Sequence, residues 1–140
     1  VYDSSKGPPD DATAWSQASL SQARYAPAAT TVGSQAIFAG GATGGLGNPN
    51  AVATAVVDIY DASVGPPSDP AAWSIGTSLS HARGLIAATT AGSQAIFAGG
   101  ATGGLGNPNA VATAVVSNPE AKKTTSSSCS AASSTACVTL

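Results

Sequence analysis

Chemistry that moves protons or breaks bonds needs several side chains of the right types held together, and this chain has few to offer. His81 is its single histidine, and the corresponding position of an earlier, similar stretch holds Gln22. A Ser-His-Asp arrangement would therefore have to be built once around His81, with no local motif to support it. Two pairs of acids stand close in sequence, Asp10-Asp11 and Asp58 with Asp61. General acid and base work needs carboxylates facing each other across a cleft, whereas the first pair lies in a proline-rich turn region and the second flanks an expected strand. The glycine-rich GGATGGLG occurs twice, at Gly40–Gly47 and Gly99–Gly106. It lacks the lysine and the following helix of a phosphate-cradling loop, and acidic ligands at alternating positions, as calcium loops require, are missing. Cys129 and Cys137 are the only cysteines. A local disulfide is expected between them in an oxidising compartment, the alternative being two unpaired thiols in a disordered tail. Two sulfurs without further His or Cys do not complete a tetrahedral zinc shell. No catalytic, cofactor-binding or metal-ligating residue is assigned, and the chain reads as a non-enzyme without a cofactor.

Composition narrows the classes further. Charged residues make up 9% of the 140, against roughly 25% in ordinary globular chains. With a net charge of −2 and five Lys and Arg in all, there is no basic stripe to displace the counterions of a nucleic acid or to hold an anionic membrane. Glycine, proline or polar residues interrupt every apolar run before the length of a membrane helix, about 18 to 20 residues, so no membrane span is expected. The sequence starts at valine with no visible signal peptide, which implies a leader already removed if the chain is secreted.

The elements that would position any site come from a tandem repeat. The 25 residues Gly33–Val57, GSQAIFAGGATGGLGNPNAVATAVV, recur unchanged at Gly92–Val116, an offset of 59. The offset holds backwards through Ala28–Thr31 against Ala87–Thr90, and through Leu20-Ser21-x-Ala23-Arg24 against Leu79-Ser80-x-Ala82-Arg83. Further upstream it becomes 58, pairing Tyr2-Asp3 with Tyr60-Asp61 and Trp15-Ser16 with Trp73-Ser74. Within each copy, AATTV, the Gly-Ser turn and QAIFA predict a hairpin ending at Gly40-Gly41. Ala42–Asn50, rich in glycine and carrying Asn-Pro-Asn, predicts a loop. Ala51–Asp61 predicts one strand, with Ala53, Ala55, Val57 and Ile59 on one face and Thr54, Val56, Asp58 and Tyr60 on the other. A proline-rich turn then leads to a fourth short strand at Trp73. Four short strands per 59 residues predict an all-β fold and not a helical solenoid.

A hydrophobic strand ending in Gly40-Gly41, a spacer, a strand carrying Tyr60 and then a single Trp73 resembles the kelch repeat, whose copies each form one blade of a β-propeller. The LSxAR stretch before the first strand is similar too. The resemblance implies antiparallel four-stranded blades over residues 1–116, divided as repeats 1–57 and 58–116, followed by a Ser/Thr-rich tail at 117–140. It implies structural roles for Gly40, Gly41, Gly99 and Gly100, where the chain leaves a strand beside a neighbour, and for Tyr60, Trp73, Tyr2 and Trp15, packed between blade layers. Arg24 and Arg83 are expected to hydrogen-bond loop carbonyls near a blade edge. Secreted kelch-like copper radical oxidases need tyrosine, histidine and a cross-linking cysteine around a metal, which this chain does not supply.

The second copy departs from the pattern after Val116, with Ser117-Asn118-Pro119-Glu120 in place of Asp58-Ile59-Tyr60-Asp61. Val1-Tyr2-Asp3 and Trp15 supply the missing half, so the chain holds about two blades cut out of phase. Two blades do not make the usual ring of four to eight, and open strand edges without lysines invite pairing. The expectation is an extracellular or secreted structural component that self-associates head to tail, through half-blade complementation, into a filament or a composite propeller. The alternative is a glycan- or protein-binding kelch module, on its own or as a piece of a longer propeller, using the repeated GGATGGLGNPN loops.

Overall fold

The computed structural model describes residues 1–103 and 106–118. Among them the fold is all-β, with no helix beyond two short 3-10 turns, Ala12–Ala14 and Pro70–Ala72. Each copy of the repeat begins with a hairpin. Strands β1 (Ala28–Val32) and β2 (Gln35–Ala39) pair antiparallel from Ala28↔Ala39 to Val32↔Gln35. Gly33 stands at the first of the two turn positions with φ +56°, the glycine position of a tight hairpin turn whose twist matches its strands.

After Gly40-Gly41 the chain forms two brief strands, β3 (Ala42–Thr43) and β4 (Val52–Ala53), which pair with each other. It then returns as β5 (Val57–Asp61) alongside β2 and ends with β6 (Trp73–Ile75). The result is a four-stranded meander in the order β1-β2-β5-β6. The single strand expected over Ala51–Asp61 is thus two strands with a break. The backbone N–H of Thr54 donates to Gly41 C=O at 2.9 Å and its hydroxyl accepts from Val56 N–H at 3.2 Å. A local side-chain bond of this kind takes the backbone out of a ladder. Beyond the break the expected alternation holds, with Val57 and Ile59 facing the apolar cluster.

The second copy repeats the plan with β7 (Ala87–Ala91), β8 (Gln94–Ala98), β9 (Ala101–Thr102), β10 (Val111–Ala112) and β11 (Val116–Ser117). Here the sheet has three strands, in the order β11-β8-β7. The two larger sheets pack face to face. Ile37, Ala39 and Val57 of the first meet Ala95 and Phe97 of the second, with Leu79 and Ile86 filling from the connecting segment. Alanines on the facing surfaces let the sheets approach closely, and Phe97 and Val57 are wholly buried between them. Among the described residues the sheets do not close into a ring.

Candidate functional site

Residues 1–16 rebuild, in miniature, the outer half of the four-stranded sheet. Tyr2 pairs with Trp15 as Tyr60 pairs with Trp73, and in both places the ring centroids lie 5.3 Å apart. The Tyr2 hydroxyl donates to Gly7 C=O at 2.8 Å, as that of Tyr60 does to Gly65 C=O at 3.0 Å. Trp15 Nε1–H donates to Pro9 C=O at 2.8 Å and Trp73 Nε1–H to Pro67 C=O at 2.9 Å. Asp11 and Asp69 cap the equivalent 3-10 turns through the amide two residues on, each at 2.8 Å. Asp3 and Asp61 each accept from a serine amide and hydroxyl, Ser5 and Ser63. Those donors hold the Asp3 carboxyl below its ordinary value. Asp61 receives Gln35 and Ser34 as well, and its carboxyl is held well below the usual carboxylate range.

What differs is the cover. In the four-stranded sheet Trp73 also stacks on Phe38, with centroids 6.1 Å apart, and is half-buried. Trp15 is 53% exposed. Between the two modules lies an open depression of about 560 Å³ lined by Val1, Tyr2, Asp3, Tyr60, Pro66 and Pro67.

At the other end of the described chain, β8 and β2 differ in how far their partner strands run among the described residues. β2 pairs with β5 at five positions, Gln35↔Asp61 to Ala39↔Val57, whereas β8 pairs with β11 at two, Ala98↔Val116 and Phe97↔Ser117. The bond from Gly40 N–H to Val56 C=O sets the ladder phase, so Ala36 and Tyr60 form a hydrogen-bonding pair. The corresponding bond from Gly99 N–H to Val115 C=O gives the second sheet the same phase. In the sequence the residue 59 positions after Tyr60 is Pro119, which has no N–H to donate. In the N-terminal module, Asp3 N–H to Ala14 C=O and Ser16 N–H to Val1 C=O leave the Tyr2 amide and carbonyl on the side away from Trp15. On the outer face of this sheet Val116 is 64% exposed, while its counterpart Val57 is fully buried.

The glycine pairs stand where backbone meets backbone. A Cβ on Gly40 would lie 2.6 Å from Arg83 C=O and one on Gly41 2.7 Å from Tyr25 C=O. Gly100 is equally tight against Gly84, whereas a Cβ on Gly99 would meet only Thr113 C=O, at 3.9 Å. The repeated loops stack on each other: a Cβ on Gly106 would fall 2.8 Å from Gly47, and Asn107 Nδ2–H donates to Ala51 C=O at 3.1 Å.

The arginine side chains are buried and each reaches a strand carbonyl, Phe38 of β2 or Phe97 of β8, while Arg83 also reaches the Val115 carbonyl just ahead of β11, the kind of loop carbonyl expected. Arg24 donates to Phe38 C=O at 3.2 Å and to Asp58 Oδ2 at 2.6 Å, an ion pair with both side chains almost wholly out of solvent. Arg83 donates to Phe97 C=O at 3.1 Å, to Ser117 Oγ at 2.8 Å and to Val115 C=O. Asp58 and Ser117 were not singled out as sites from the sequence. The offset of 59 that relates Arg24 to Arg83 also relates Asp58 to Ser117, and following it along the strand would have found both.

Side chains that could do chemistry are dispersed or engaged. His81 is exposed, with Nδ1 3.3 Å from Ser80 Oγ. Asp58 is committed to Arg24, and Asp11 to its turn. Among the described residues no three His, Cys, Asp or Glu gather as metal ligands, and no helix is long and apolar enough to cross a membrane. Cys129 and Cys137 lie outside the described residues. No protein-family profile matches the chain, and no curated protein is significantly similar to it.

Proposed function

We propose that this chain is an extracellular structural building block with kelch-like blades, which assembles head to tail by pairing residues 1–16 of a second copy alongside β8, whose β11 side is paired at two positions among the described residues. The observation that carries the reading is the match between the N-terminal module and the outer half of the four-stranded sheet, in pairing, ring geometry and turn hydrogen bonds. Placed by analogy with β5, Tyr2 of the incoming copy exchanges two backbone hydrogen bonds with Ala95. Such a contact joins different surfaces of the two copies, so it gives a ring if the rotation closes and a filament if it does not. Low charge and small side chains keep repulsion between copies low. The two tail cysteines support a secreted, oxidising setting.

Light scattering with negative-stain microscopy tests this. Filaments or a discrete multi-copy ring are expected for the native chain, and a monomer for Tyr2→Pro. That substitution removes the outward N–H while sparing the Val1–Ser16 and Asp3–Ala14 bonds. A native chain that stays monomeric at high concentration, or a Tyr2→Pro variant that assembles as well as the native chain, overturns the proposal.

A further inference from the structure

Arg83 is 0% exposed, and its three hydrogen-bond acceptors are neutral: two backbone carbonyls and the Ser117 hydroxyl. Among the described residues its Nε has no partner, as Nε and Nη1 of Arg24 have none. A buried guanidinium without a counter-charge is destabilising relative to one that is paired, and burial lowers the affinity of this group for its proton. The first copy shows how the same position is neutralised. There Asp58 accepts from Arg24 through one carboxylate oxygen and from Ser21 N–H, at 3.1 Å, through the other.

In the second copy serine replaces that aspartate, so among the described residues no carboxylate stands at the place beside Arg83 that Asp58 takes beside Arg24. Donors remain around the place. Ser117 Oγ and Ser80 Oγ stand 2.8 Å apart, Ser80 is the counterpart of Ser21, and its exposed side opens the place to solvent. We propose that Arg83, Ser117 and Ser80 form a binding site for a small monovalent inorganic anion of the chloride class, which takes the position of the Asp58 carboxylate. The site lies within one chain and stands apart from the assembly of copies.

The test compares thermal unfolding in sodium chloride and in sodium gluconate at equal ionic strength, with dilute protein. Chloride should raise the native midpoint saturably, by about 5 °C at concentrations well above its dissociation constant. Ser117→Asp, which supplies the charge covalently, should unfold higher in gluconate and lose the chloride response. A native chain indifferent to chloride, or a Ser117→Asp variant with the full native response, overturns the proposal. Anomalous diffraction from native crystals soaked in bromide does not depend on the variant folding. A peak beside the Arg83 Nη2 atom supports the site, and bromide peaks elsewhere with none at Arg83 refute it.

Discussion

Replacing Gly33 and Gly40 by alanine, one at a time, separates two reasons for a glycine. Both residues lie in the left-handed region, at φ +56° and +65°, where an L-residue loses roughly 1 kcal/mol relative to glycine. A Cβ on Gly33 would meet nothing within 4 Å, so Gly33→Ala should cost only that. At Gly40 the new carbon would lie 2.6 Å from Arg83 C=O, 2.8 Å from Ile86 Cδ1 and 3.3 Å from Leu79 Cδ1. Ile86 can swing aside at its tip, but the Arg83 carbonyl is backbone and also accepts the Gly41 N–H at 3.0 Å. To make room, the connection into the second sheet must retreat by a large part of an ångström. Overpacking of this order costs about 1 to 3 kcal/mol, which brings Gly40→Ala to about 3 kcal/mol in total. Urea unfolding at concentrations where the chain is monomeric reads both, with the slope expected to stay constant while the midpoint falls. Equal losses for the two variants would refute the claim that Gly40 is there for the close approach of the sheets and reduce it to an ordinary turn residue.

Two further outcomes follow from the charges. Asp58→Asn keeps the shape of the side chain but leaves Arg24 buried without its anion, and should cost about 3 kcal/mol in the same urea experiment. A loss below the error of the measurement would mean that the Arg24–Asp58 pair contributes nothing. The Asp61 carboxyl has its affinity for protons depressed by Ser63, Gln35 and Ser34, so the folded state binds fewer protons than the unfolded one as pH falls. The stability from Asp61 is therefore fully present above its ordinary value of 3.8 and is lost as pH drops below that towards the depressed folded value. Thermal midpoints should be flat from neutrality to about pH 5 and fall below about pH 4, less steeply in Asp61→Asn, and an identical profile for that variant would count against the network.

Strand chemistry was legible in the residues wherever pattern and punctuation agreed. The AATTV-Gly-Ser-QAIFA hairpin folds as expected, and the glycine pair stands at a close approach. The break at Thr54 was not legible, because it depends on a hydroxyl bonding its own backbone two residues on, while the surrounding valines and alanines spell a continuous strand. Tyr2 and Trp15 match Tyr60 and Trp73 in sequence, yet their exposure differs, since burial of Trp73 rests on Phe38 from another strand. The ion pair of Arg24 with Asp58 joins residues 34 apart. Nothing local marks it, and only the register of β5 beside β2 brings the two together.

The stacked loops carry one more implication. Gly47 and Gly106 are the same residue of the repeat, yet their burdens differ: a side chain at 106 would strike the backbone of Gly47, while one at 47 would meet nothing within 4 Å among the described residues. Identical letters in a tandem array are thus tolerant or intolerant according to rank in the stack, and the tolerance of a position reports whether a neighbour precedes it. The first loop of a chain is thus free to drift at this position, and in the assembly proposed above it would become as unforgiving as the second wherever another copy is seated against it.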